Sequence, residues 1–174
     1  MKKKLALILV IGVFLLIRPL SAQTWETTKR LTWNSGDSTN PRIAIDTNNH
    51  FHVVWFDDTP GNNELFYKRS MDGGVNWTAK RLTWNSGSIM GLNMALDSSN
   101  YLHVVCGDDT PGTYEVYYRR STDNGVSWTT KRHTWNSGAS WYPTIATDSS
   151  NNIHVLWSDN TPANYEIFYR KGIQ

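Results

Sequence analysis

Four side chains are equipped to hold a small polar ligand: Arg42, Asn93, Trp141 and Tyr142. A guanidinium offers a planar fork of donors, an amide offers a donor and an acceptor, and two aromatic rings offer stacking faces. They fall in segments 37–42, 88–93 and 139–144, which correspond to one another yet diverge more than their surroundings. That divergence marks either specialisation for a ligand or drift in a duplicated loop. A second set is constant instead: Asp57, Asp108 and Asp159 stand at matching places, followed by Glu64, Glu115 and Glu166. Carboxylates repeated in this way are suited to glycan hydroxyls or a cation. Asp ahead of Thr-Pro is equally suited to bond the N–H groups of its own turn. His52, His103 and His154 also recur, one per repeat, so they are not expected to converge on a metal. No cofactor is expected.

The elements that must position these groups come from internal repetition. Lys29-Arg30-Leu31-Thr32-Trp33-Asn34-Ser35-Gly36 returns at 80–87 and at 131–138, where His133 replaces the leucine, a constant step of 51 residues. His52-Val53-Val54 and Asp57-Asp58-Thr59-Pro60-Gly61 return at the same step. The repeats therefore run near 29–79, 80–130 and 131–174. Each divides into four short β-rich runs, in the first repeat 42–46, 51–56, 64–69 and 77–84, with turn-forming residues between them. No stretch carries a helical period. Four antiparallel strands per repeat predict an all-β chain, a β-propeller of four-stranded blades with three blades per chain. The nine Trp and eight Tyr recur at fixed places, and most are expected in the core between blades.

Two turns share the pattern Ser-x-Asp-x-Gly-x-x-Trp: Ser70, Asp72, Gly74 and Trp77, then Ser121, Asp123, Gly125 and Trp128. The Asp suits a hairpin tip by accepting backbone N–H bonds, the Gly takes positive φ, and the Trp folds back as an apolar plug. The pattern resembles the Asp box, or BNR repeat, of the sialidase-like β-propellers. That resemblance implies structural boxes on the face away from the family's active site. The opposite face, built by the connections between blades and between second and third strands, would carry any site. Arg42, Asn93, Trp141 and Tyr142 would then ring the mouth of the central channel.

Sialidases of this kind use an arginine triad, a tyrosine–glutamate pair and an aspartate acid/base, the arginines serving as bidentate carboxylate binders. Arg42-Ile43 resembles the start of the family's Arg-Ile-Pro motif, but Ala44 stands where the proline belongs. Arg69, Arg120 and Arg170 lie at third-strand ends, which suits a structural role. No catalytic residue is assigned. The chain reads as a carbohydrate- or protein-binding module rather than an enzyme. The alternatives are a fragment of an exo-α-sialidase-like glycoside hydrolase and an envelope-associated structural repeat protein.

Residues 1–22 read as a secretory signal peptide: Lys2, Lys3 and Lys4, an apolar run over 5–17, and a Leu20-Ser21-Ala22 cleavage site. The run is short for a membrane span. The remaining 23–174 is expected to be secreted or periplasmic, the product of a bacterium. The formal charge of +2 becomes −2 without Lys2, Lys3, Lys4 and Arg18, which argues against a nucleic-acid or membrane-surface binder. Cys106 is the only cysteine, so no intramolecular disulfide can form. Residues 25–33 match only a fourth strand and 165–171 only a third. Closed propellers have about four to eight blades. Two expectations follow: a homodimer whose N-terminal strands close a six-bladed ring, with a glycan or cell-surface protein as ligand, or a piece of a longer propeller.

Overall fold

The computed structural model describes residues 23–173, in which all regular structure is β-strand. The signal-peptide region falls outside the described residues. The first sheet holds β1 (Ser38–Ile45), β2 (Phe51–Asp57), β3 (Glu64–Ser70) and β4 (Thr78–Arg81), in that order. The second repeats it with β5 (Ile89–Leu96), β6 (Leu102–Asp108), β7 (Glu115–Ser121) and β8 (Thr129–Arg132). The third holds β9 (Ser140–Thr147), β10 (Ile153–Asp159) and β11 (Glu166–Gly172). Every pairing is antiparallel. The chain is thus a partial β-propeller, its blades side by side through β1, β5 and β9.

Local chemistry makes each blade. The β1–β2 turn is set by Asp46, whose Oδ1 accepts N–H bonds from Asn48 and His50 at 2.8 Å each. Asn49 supplies the left-handed residue at φ 60. Asp97 and Asp148 hold the matching turns in the same way. These turns also tie blades together: Asn100 Nδ2 donates to Thr47 Oγ1 at 2.7 Å. The innermost strands are bulged at one shared position, where Asn40, Gly91 and Tyr142 take φ values of 53, 62 and 47. Because of the bulge, β1 begins at Ser38, earlier than the pattern of alternation predicts, and the divergent segments belong to the strands themselves.

The core lies between blades rather than within one. Val54, Phe56, Leu65 and Tyr67 of the first blade pack with Ile89, Leu92, Leu102, Val104 and Cys106 of the second. Val105 and Val116 of the second pack with Ile145, Val155 and Trp157 of the third. Successive side chains of β6 alternate between the two clusters, so this strand is buried along its whole length.

Within one chain residues 25–33 form no strand, and the described residues hold eleven strands. A blade-edge strand exists only through the ladder it makes with a free edge, and β4 already covers β3 of the first blade. Residues 23–31 fall outside the compact unit that begins at Thr32.

Candidate functional site

Pairing fixes which connections share an end of the blade. Ser38 pairs with Asp57, so the entry to β1 and the β2–β3 turn lie together. Phe51 pairs with Ser70, so the β1–β2 and β3–β4 turns lie together at the other end.

Midway along the innermost strands, Arg42, Asn93 and Thr144 occupy one repeat position on β1, β5 and β9, opposite Val54, Val105 and Leu156. Asn93 Nδ2 donates to Thr144 Oγ1 at 3.0 Å, which links two of the three blades. The exposed Arg42 donates Nη1 to the carbonyl of Pro41 at 2.9 Å. Trp141 packs against Tyr114 at 4.6 Å and against the exposed Tyr142 at 6.0 Å. Its indole Nε1 is buried without a partner. The structure therefore gathers Asn93 with Thr144 and Trp141 with Tyr142, and leaves the Arg42 guanidinium solvent-facing.

The second predicted set is placed otherwise. Asp57, Asp108 and Asp159 are buried and committed to the chain. Asp57 accepts from Thr59 N at 3.0 Å, Trp55 Nε1 at 3.2 Å, Ser38 Oγ at 2.9 Å and the side chain of Asn34. Asp108 accepts from Thr110 N and Asn85, and Asp159 from Thr161 N, Ser140 Oγ and Asn136. Burial alone would raise the Asp57 and Asp159 carboxyls, but these donors outweigh it and hold both below the usual carboxylate range. Within the chain the oxygens of these three lock the junction between one blade's exit and the next blade's turn.

The histidines stay apart. His52, His103 and His154 each bond a Tyr diagonally across on the adjoining strand, Tyr67, Tyr118 and Tyr169, at 2.8, 2.7 and 2.8 Å. Burial holds His52 and His103 below the ordinary histidine value. Among the described residues no group of three or more metal-ligating side chains forms.

At the far end, the two Ser-x-Asp-x-Gly-x-x-Trp turns join β3 to β4 and β7 to β8. Gly74 N and Gly125 N each donate to the Ser oxygen at 2.8 Å, and each Trp Nε1 donates to the Gly carbonyl at 3.1 Å. Bonds from Asn76 and Ser70 hold Asp72, and bonds from Ser127 hold Asp123, at a pKa of about 2. The second turn is inserted into the first blade, where Asn124 O accepts from Tyr67 Oη at 3.1 Å and Arg69 Nη1 at 2.7 Å. Lys80 Nζ donates to Val126 O at 2.7 Å, and Trp128 stands edge-on to Tyr67 at 5.3 Å. The corresponding place on the second blade is a cavity of about 640 Å³ lined by Tyr118, Arg120, Lys131, His133, Ile153 and Arg170.

The sequence reading missed one feature. Trp33, Trp84 and Trp135 occupy a single repeat position and are 70, 69 and 62 % exposed. They depart from the core placement expected for most of the aromatics, because they sit in the connection between blades rather than in a strand. Each carries a cation on its ring: Lys68 at 5.6 Å, Arg81 at 5.5 Å and Arg132 at 5.8 Å. Arg81 and Arg132 are in turn held by the buried Glu64 and Glu115, at 3.0 and 2.8 Å. Glu64 also accepts the N–H of Asn85 at 2.8 Å. A buried acid thus fixes an arginine, and the arginine fixes an indole at the surface. Thr-Trp-Asn-Ser-Gly after a fourth strand was the signal: an aromatic among turn residues has no neighbouring strand to cover it.

No family and no curated protein matches the sequence. Among solved structures, a Hadza microbial sialidase superposes with a TM-score of 0.57 at 10 % identity, over 75 % of this chain and 34 % of that one. The fold is that of the sialidase-like glycosidase β-propellers. An endo-arabinase from Bacteroides thetaiotaomicron gives 0.56 at 12 % identity, over 87 % of this chain and 61 % of that one. A fucose lectin from Kordia zhangzhouensis in complex with methyl-fucoside gives 0.50 at 18 % identity, over 78 % of this chain and 99 % of the lectin. The chain therefore spans about a third of the sialidase and nearly all of the lectin.

Proposed function

We propose that this sialidase-like propeller is a secreted, non-catalytic carbohydrate-binding module. The observation that carries the reading is the indole exposed once per repeat at Trp33, Trp84 and Trp135, in two of them stacked on an arginine that a buried glutamate holds. The apolar face of a pyranose stacks on such a ring, and the adjoining guanidinium and amide N–H groups suit its hydroxyls. Trp84 and Trp135 have a blade on either side and stay exposed, so packing of blades does not account for them. Trp141 and Tyr142 lie toward the same end of the blades, Arg42 and Asn93 midway along the innermost strands, and the four form the second set of contacts in this proposal.

The non-catalytic part rests on the arginines. Arg69 Nη1 is spent on Asn124 O at 2.7 Å, Arg170 Nη1 on His133 O at 2.9 Å, and Arg120 lies over Tyr101 at 4.8 Å. Those contacts leave Arg42 as the arginine suited to a sugar carboxylate at the channel. Export is inferred from residues 1–22. Among the described residues no helix is long and apolar enough to cross a membrane.

A glycan array probed with the purified chain, followed by calorimetry on the strongest hit, tests the reading. Trp84→Ala and Trp135→Ala are each expected to weaken binding about tenfold with the melting temperature unchanged. Unaltered affinity in both would remove the indoles from the site. Release of a fluorogenic sialoside by the wild-type chain would remove the non-catalytic assignment.

A further inference from the structure

Repeat geometry allows the same position to be compared on three blades, and the outer faces depart from the inner ones systematically. Leu65 and Val116 are fully buried, whereas Ile167 at the same position of the third blade is 69 % exposed. Tyr67 is 2 % exposed and Tyr169 is 56 %. Glu64 and Glu115 are buried under an arginine, whereas Glu166 is exposed. On the opposite side, Ile145 of the third blade is 7 % exposed and Ile43 of the first is 64 %. Each exposed group is a copy of one that packs against the neighbouring blade inside the chain. The outer face of the third blade is therefore built to receive the outer face of the first.

The edge of the third sheet tells the same story. Outside β10, β11 has no strand partner among the described residues, whereas β3 and β7 carry β4 and β8. The sequence of those fourth strands, Thr78-Ala79-Lys80-Arg81 and Thr129-Thr130-Lys131-Arg132, is present once more as Thr27-Thr28-Lys29-Arg30. Applying the β3–β4 register, in which Lys68 faces Ala79 and Phe66 faces Arg81, places Thr28 opposite Arg170 and Arg30 opposite Phe168.

We infer that two copies of this chain close a six-bladed ring, each donating residues 27–30 as the fourth strand on β11 of the other. In that ring Arg30 meets Glu166 as Arg81 meets Glu64. Thr32 bonds Ile167 N as Thr83 Oγ1 bonds Leu65 N in the first blade. Ile43 of one copy covers Ile167 and Leu156 of the other. Gln23–Glu26, which lead into the donated strand, lie over the cavity beside Tyr118. Both contacts are head to tail and related by one two-fold axis, so the assembly stops at two copies. The ring and the glycan reading stand independently, since Trp84 and Trp135 lie at inner junctions.

Light scattering on the eluting peak from size exclusion, run on the secreted chain at about 10 μM, is expected to give twice the mass of one chain. Glu166→Arg is expected to give a single-chain mass with an unchanged melting profile at low concentration, because the residue is exposed. Adding Arg30→Glu to it is expected to restore the doubled mass. A mixture of the Thr28→Cys and Arg170→Cys chains is expected to cross-link between copies under oxidation, Cys106 being buried. A single-chain mass for the wild type would overturn the ring, and so would a ladder of longer assemblies. Failure of the charge exchange to restore the dimer, or absence of the cross-link, would overturn the strand donation.

Discussion

The turn at residues 70–77 and the turn at residues 121–128 are the same object in two surroundings. Their internal hydrogen bonds agree to within 0.1 Å at the Ser, Asp and Trp positions. The second is docked against Tyr67, Arg69 and Lys80 of a neighbouring blade, and for the first no neighbouring blade stands among the described residues. The lesson is a separation of causes. Local sequence sets the conformation of the turn, while the neighbour sets how much that conformation contributes to stability.

The sharpest way to break the comparison is to add one carbon to each turn. A Cβ at Gly125, where φ is +79, would fall 2.1 Å from Tyr67 Oη. Gly125→Ala is expected to cost about 4 kcal/mol, from backbone strain plus overpacking against a buried ring. At Gly74, with φ +85, the nearest atom is Phe51 Cε2 at 3.2 Å, and that ring can tilt. Gly74→Ala should therefore cost about 1–2 kcal/mol, the strain alone. Urea unfolding of the two variants measures the gap. Equal losses would mean that docking adds nothing.

The same contrast holds in the core. Leu65→Ala is expected to lose about 3 kcal/mol, as a fully buried leucine does when truncated. Ile167→Ala at the matching position should lose less than about 0.5 kcal/mol in the isolated chain. The same unfolding series reads both, at a concentration where single chains prevail.

A third test uses the residue that breaks the repeat. His133 stands where Leu82 stands in the blade before; burial, then Arg170 and Lys131, push its pKa down to about 4. A folded value below the unfolded one means that the unfolded chain binds the proton first, so stability falls as pH drops from about 6.5 to about 4. His133→Leu is expected to flatten the melting temperature across that window and to leave it nearly unchanged at pH 8. An unchanged slope would exclude this residue as its source.

The smallest effect belongs to the turn aspartates. Both titrate near 2 in the folded chain against 3.8 ordinarily, so what they contribute is present above about pH 4 and lost as pH falls through about 2. Both carboxyls lie at the surface, where solvent screens them. Asp72→Asn and Asp123→Asn are expected to shift the acid-unfolding midpoint slightly, with the docked turn shifting more.

Much of the fold was legible because repetition multiplies weak signals. A single Asp-Thr-Asn-Asn stretch is an ordinary turn. Three such turns in register, each followed by His-Val and a further aliphatic residue, specify a blade. The site was less legible for a reason that particular residues illustrate. Asp57 and Trp84 are both polar-end or aromatic residues constant across repeats, and constancy does not separate a buried lock from a surface platform. What separates them is which side of the blade junction a side chain leaves from, and that depends on Asn85 bridging to Asp108 across 23 residues. The stretch 25–33 illustrates a related point. Its sequence carries the strand pattern, but a strand needs an edge, and no pattern within one copy states where that edge is.

The uniform step from blade to blade has a genetic consequence. Any in-frame tandem duplication of one repeat inserts a blade whose two faces already match its neighbours, so blade number can change without a single compensating substitution. A gene carrying two such chains end to end would encode the ring inferred above as one polypeptide, and its two halves would then be free to diverge. In that inferred ring Arg42, Asn93 and Thr144 would each occur twice, and only after such a fusion could the six positions evolve independently toward an asymmetric pocket.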